Sequence, residues 1–145
     1  MDTEKFEKKL VSSLNCGQIV FSTFTEDTGI PEDQAQLLAS AFGGGMYSGD
    51  TCGAVVGGLL ALGAVFGTHI PVNPSDMEKM QEKTLAFRER FKQKHGSCLC
   101  RDLLGVDCST EEGMAIIEEK GLHQSICPHL MADAIEIVED LIDEG

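Results

Sequence analysis

Residues 43–67 read GGGMYSGDTCGAVVGGLLALGAVFG. A glycine triplet, Gly43 to Gly45, leads through a short polar stretch to a single cysteine, Cys52. An apolar run follows in which Gly53, Gly57, Gly58, Gly63 and Gly67 recur. From Thr51 to Gly67 no residue carries a formal charge. Glycine inside a helix costs about 1 kcal/mol relative to alanine. Several in one segment therefore imply that other backbones, or a bound group, approach closely. The steps Gly53 to Gly57, Ala54 to Gly58 and Gly63 to Gly67 stack small residues on one helix face. The stretch predicts a central helix that starts near Thr51 and is buried on nearly all sides. Gly53 and Gly57 are its candidates for contact with a bound cofactor.

Two phosphate-binding readings of the glycines fail. No Lys-Ser/Thr follows the triplet, as a P-loop needs, and no strand precedes it, as a dinucleotide fingerprint needs. A membrane span fails too. The uncharged run of 17 residues sits at the bottom of the spanning range, and acidic residues, Asp50 and Asp76, flank it.

Outward from this stretch the chain reads as amphipathic helices. Thr3 to Leu14 places Phe6, Leu10, Val11 and Leu14 on one side. Asn15 breaks that helix or caps the next, which runs from about Cys16 to Thr25, although composition alone also allows a strand there. Gly29 ends it, and Pro31 suits the first turn of a helix reaching about Phe42. Asp50 or Thr51 is the expected cap of the central helix. Pro74 and Ser75 open a long helix with Met77, Met80, Thr84, Phe87 and Phe91 facing inward and Lys79, Glu82, Lys83, Glu89 and Lys92 facing water. Arg101 to Leu104 form one short turn, closed by Gly105. Ser109 or Thr110 caps a helix ending at Lys120. The last helix starts at Cys127–Pro128 and turns Cys127, Leu130, Met131, Ala134, Ile135, Val138, Leu141 and Ile142 to the core. Acidic residues at its far end oppose the helix dipole, so fraying is expected there. The expectation is an all-α chain, 1–145 as a single domain, with six or seven helices bundled around the glycine-rich one.

With 145 residues the chain is long enough for a proper core. Its formal net charge of −13 opposes nucleic acid and anionic membrane surfaces as partners. The start, MDTEKFEKKL, is charged and has no apolar core of a signal peptide, which gives the expectation of a reducing cytoplasm. Six cysteines in that compartment point to metal binding or redox chemistry rather than structural bridges.

Cys16, Cys52, Cys100 and Cys127 share one context. Each stands at or near a predicted helix start, on an apolar stripe. The dipole there favours the thiolate, which attacks disulfides and binds metals. Their separations of 36, 48 and 27 residues carry no zinc-finger signature, and neither CxxC nor CxxCH is present. Four helix starts converging on one point make a place for thiolates or an anionic cluster. Simple packing of small residues is the alternative. His95 and His129 are weaker candidates to complete a site or tune a thiolate.

The order Cys16, then Cys52-Gly53-Ala54-Val55-Val56-Gly57, then Cys100, then Cys127 resembles the redox-active family named for its pattern, C_GCAxxG_C_C. The GGG before it, the ALGAVFG after it, CRDLLG around Cys100 and CPHLMADAIEIVEDL around Cys127 are similar as well. The resemblance covers nearly the whole chain. It implies a redox or electron-transfer protein with Cys16, Cys52, Cys100 and Cys127 as the working or metal-ligating residues. It also implies an iron–sulfur cluster as the first cofactor to test, since some relatives hold one. Four thiolates serve a [2Fe–2S] or [4Fe–4S] cluster and also structural zinc. A thiol/disulfide couple is the rival. Cys98 and Cys108 fall outside the pattern; Cys98 and Cys100 pair locally or supply two ligands. The partner is an unnamed redox protein, and the small-residue face also allows a homodimer.

Overall fold

The computed structural model describes residues 3–11 and 13–145, without the side chain of Val11. The described residues form ten α-helices and no strand. In chain order they are α1 (Glu4–Val11), α2 (Cys16–Ser22), α3 (Thr25–Thr28), α4 (Glu32–Leu38), α5 (Gly53–Phe66), α6 (Pro74–His95), α7 (Cys100–Leu104), α8 (Glu111–Lys120), α9 (Leu122–Ser125) and α10 (Cys127–Glu144). The all-α bundle is therefore as the sequence predicts. The surplus over six or seven helices lies in α3, α7 and α9, pieces of four or five residues; α7 is the short turn expected at Arg101 to Leu104, while α3 and α9 are too short to show a helical period. The helix expected to reach Phe42 stops at Leu38 and continues as a 3₁₀ turn, 40–42. On α1, the Val11 side chain of the expected apolar face falls outside what the structure describes; Phe6 of that face is buried.

The core forms around α5, against which α2, α6 and α10 pack. The glycine pattern explains how. A Cβ on Gly53 would lie 2.5 Å from the Phe42 carbonyl oxygen and 3.0 Å from the Gly17 nitrogen. One on Gly57 would lie 2.8 Å from the Gly17 carbonyl oxygen. Glycine on both helices lets the backbones of α2 and α5 touch, which sets Cys16 beside Gly53 and the start of α5. Gly58 faces the other way, against Phe87 of α6 and Val138 of α10. The small residues at Gly53, Gly57 and Gly58 are thus covered within the chain, whereas a Cβ on Gly63 would meet no atom within 4 Å. No helix among the described residues is long and apolar enough to cross a membrane.

The long helices follow their patterns with two exceptions, Lys83 and Met77. Phe87 and Phe91 are fully buried and stacked, and the expected stripe of α10 is inward. Lys83, expected in water, is buried: its Nζ donates to the Leu141 carbonyl at 2.9 Å and lies 5.0 Å from the Phe66 ring centre. Its long stem crosses apolar surface and its charge finds a carbonyl and a ring face, so a buried lysine is tolerated. Met77 is more than half exposed, because the first turns of α6 run past the bundle. The acidic end of α10 does not stop short: Arg90 holds Glu144 through two bonds of 2.8 and 2.9 Å.

Candidate functional site

Cys16, Cys52, Cys100 and Cys127 meet. All four line one small, largely closed cavity of about 20 Å³, together with Gly44, Gly53, His123, Leu103 and Leu104 of α7 and Leu130 of α10. Each arrives through local structure its own sequence dictates. Asn15 caps α2 by accepting from the Gln18 N–H at 2.9 Å, and Gln18 returns a bond to the Asn15 N–H, so Cys16 is fixed as the first residue of α2. Cys52 itself caps α5, in place of Asp50 or Thr51. A single antiparallel bridge, Thr51 to Leu99, ties that cap to the start of α7. Its bonds run from the Cys52 N–H to the Cys98 carbonyl and from the Cys100 N–H to the Asp50 carbonyl, both 2.7 Å. Pro128, in the first turn of α10, follows Cys127 and sets the helical direction there.

The fourth wall is a backbone turn of the wrong hand. Gly44, Gly45, Met46 and Tyr47 all have positive φ, between 55° and 62°. Left-handed backbone costs roughly 1–2 kcal/mol for each residue with a side chain, and only glycine escapes that. The glycine triplet therefore makes the turn possible, and the strain at Met46 and Tyr47 lies beside the thiols. Strained backbone of this kind clusters at functional sites.

All six cysteines are free. A second, open cavity of about 330 Å³ adjoins the closed one. Cys16, Cys127, Gly44 and His123 line both. Cys108 lines the open one, and its Sγ donates to the Gly44 carbonyl at 3.1 Å. Cys98 belongs elsewhere. It faces a groove with Arg88, Lys92 and Asp102, and its Sγ lies 3.8 Å from the Arg88 carbonyl oxygen. Neither histidine picked from the sequence is at the site. His95 sits 2.8 Å from the Asp133 carboxylate, joining α6 to α10, and His129 is exposed. The histidine at the site is His123, on α9. Its one trace in the sequence is its position four residues before Cys127.

Burial decides the electrostatics. The helix starts were expected to favour thiolate; instead Cys16, Cys52 and Cys100 are held protonated. Interaction with the Cys127 side chain, followed by burial, raises Cys16 well above the ordinary thiol value. Burial, then the nearby charge of Cys16, pushes Cys52 up to about 12. Burial, then Cys108 and Cys52, raises Cys100. Removing a charge from water here outweighs a half-charge at a helix end. Burial also lowers His123, which keeps its imidazole neutral at pH 7.

A cluster or a zinc ion needs its thiolates around one point. The closed cavity has room for about one water molecule. Among the described residues no three His, Cys, Asp or Glu side chains converge as a metal site. As they stand, the four thiols do not form a ligand set for either group. Of the two glycines singled out for cofactor contact, Gly53 lines the closed cavity, and Gly57 lies against the α2 backbone.

Residues 14–141 match the family model described as "Putative redox-active protein (C_GCAxxG_C_C)". The chain belongs to this family. No curated protein and no solved structure matches it. The C_GCAxxG_C_C match spans every element from α2 nearly to the end of α10, and with them all four cysteines of the pattern.

Proposed function

We propose that this C_GCAxxG_C_C protein is a cytoplasmic redox protein whose working couple is a pair of its own thiols, Cys16 and Cys127. One observation carries the reading: these two side chains interact, and both stand in the wall between the closed cavity and the open one. They are the two family cysteines reachable from the open side, while Cys52 and Cys100 line only the closed cavity. Oxidation joins the two sulfurs and releases two electrons and two protons. With an organic disulfide as oxidant, the protein gains one S–S bond and the oxidant leaves as two thiols. An unnamed redox protein is the expected partner for the reverse step.

The test is disulfide mapping. Protein purified without oxygen is equilibrated in thiol/disulfide buffers of graded potential, quenched by alkylation and digested. The reading expects a Cys16–Cys127 cross-link that appears and disappears reversibly. Iron, sulfide and zinc are measured on the same preparation. Iron with acid-labile sulfide and a visible charge-transfer band, lost on Cys127→Ser, would overturn the couple in favour of a cluster. Stoichiometric zinc without redox change would overturn it in favour of a metal-binding module.

A further inference from the structure

Cys108 lies outside the four-cysteine pattern, yet the fold sets it at the same site. It is half-buried in the wall of the open cavity, with its sulfur aimed at the Gly44 carbonyl. Cys100 lines the adjoining closed cavity, and Cys108 is near enough to be among the causes that raise its thiol. Cys100 lines the closed cavity only, and Cys108 the open one only. The two thiols therefore span the partition, one on each side.

The open cavity has a chemistry of its own. Its volume of about 330 Å³ is at the small end for a ligand pocket. Leu10, Leu14 and Met114 give it apolar wall, and its polar groups are neutral: Asn15, Gln124 and the Tyr47 phenol among them. No Asp, Glu, Lys or Arg is among its described lining residues. In a chain with 35 charged residues (11 basic and 24 acidic), this is a marked local exclusion of charge. A charged molecule entering here would leave water and meet no counter-charge.

We propose that Cys108 is the substrate-facing thiol of this protein, that the open cavity admits a small uncharged organic disulfide, and that Cys100 resolves the adduct. The proposal rests on the thiol/disulfide reading and adds to it the entry point and the substrate class; exchange of the Cys100–Cys108 bond with the Cys16 and Cys127 thiols returns the first pair to thiols and leaves the working couple oxidised. In the first step the Cys108 sulfur attacks the disulfide. A Cys108–substrate bond forms, the substrate S–S bond breaks, and one half leaves as a thiol that takes the Cys108 proton. In the second step Cys100 gives up its proton and its sulfur attacks Cys108. A Cys100–Cys108 bond forms and the other half leaves as a thiol with the Cys100 proton. Two protein thiols are oxidised and one disulfide is reduced to two thiols.

The experiment uses the full chain, reduced under argon, at about 1 M salt so that the net negative charge is screened. Bis(2-hydroxyethyl) disulfide is the uncharged probe and dithiodiglycolate, a dicarboxylate of nearly the same size, the charged one. Rates are taken relative to those of a free small thiol with the same probes. The expected result is a Cys100–Cys108 cross-link in the wild type and one retained hydroxyethylthio adduct on Cys108 in Cys100→Ser. Cys100→Ala serves as a second variant, with helical content checked by circular dichroism. The uncharged probe is expected to react faster by at least about tenfold, the penalty for unpaired charge in a neutral pocket. An adduct on Cys98 or Cys16 instead of Cys108, or equal relative rates, would overturn the proposal. So would a wild type that forms Cys16–Cys127 but never Cys100–Cys108, and in that case the couple itself stands. Absence of any disulfide at any potential would bring down the couple and the proposal together.

Discussion

Two glycines six positions apart in α5 should respond to the same substitution with opposite signs. At Gly57, a Cβ would lie 2.8 Å from the Gly17 carbonyl oxygen, 3.1 Å from the Val20 Cβ and 3.2 Å from the Gly17 Cα. At Gly63, a Cβ would meet no heavy atom within 4 Å. Alanine favours the helix at both positions by about 1 kcal/mol. Gly57→Ala also overpacks a buried crossing, which costs about 1–3 kcal/mol. The obstacle is the backbone of α2 rather than the end of a flexible side chain, so the upper end applies. The expected net effects are a loss of about 2 kcal/mol for Gly57→Ala and a gain of about 1 kcal/mol for Gly63→Ala. Urea unfolding followed by circular dichroism reads this directly. With a slope of about 2 kcal/mol per molar, the two midpoints should separate by about 1.5 M. A Gly57→Ala protein as stable as the wild type would mean that α2 does not touch α5 there. The placement of Cys16 beside the start of α5 would fall with it.

Three further outcomes follow from named contacts. Asn15→Ala removes the acceptor for the Gln18 N–H and should lower stability by about 1 kcal/mol, a shift in melting temperature of about 2–4 °C. Lys83→Ala should lose about 2 kcal/mol in the same melts, since a buried charged bond to the Leu141 carbonyl disappears, while Arg90→Ala, at a surface ion pair, should lose less than about 1 kcal/mol. The Cys52 thiol, pushed up to about 12 from an ordinary 9.0, stays protonated in the fold while the unfolded chain ionises; its stabilisation is complete below pH 9 and falls away toward pH 12 by about 4 kcal/mol, a decline that Cys52→Ala should lack.

Much of this fold is legible because the residues that matter are punctuated. Asn15 with Gln18, Pro74, Gly96, Thr110 and Gly121 mark helix ends by their own backbone and side-chain chemistry, and the structure ends its helices there. The α10 stripe is legible because eighteen residues repeat one period. What is not legible is long-range. Cys108 and Cys100 are eight residues apart, as any two loop residues might be read; only the left-handed turn at Gly44 reveals that the first lies in an open wall and the second behind it. His123 sits in a four-residue helix with no periodic signal, while His95, in a long and well-marked helix, draws attention and makes a packing contact instead. The sign of the thiol shifts is hidden for a related reason. The helix dipole is a local property and can be read from sequence, whereas burial by four separate segments cannot.

Those raised thiols give a measurement that separates a thiol couple from a metal-bound one without mapping any bond. Forming a disulfide from two protonated thiols releases two protons with two electrons. A tenfold change in the equilibrium is about 30 mV for two electrons, so the potential should fall by about 59 mV for each pH unit. For an ordinary dithiol this slope vanishes above pH 9, where both sulfurs are already ionised. Here the Cys127 side chain and burial keep the proton on Cys16 well past that point. At least one proton per two electrons, about 30 mV per unit, should therefore persist above pH 9. Thiolates bound to a metal have already lost their protons, so a couple centred on a metal carries no such slope from its ligands. Potentials taken between pH 6 and pH 10.5 would decide. A line flat across the whole range would refute the thiol couple, and one that levels at pH 9 would refute the burial argument while leaving the couple in place.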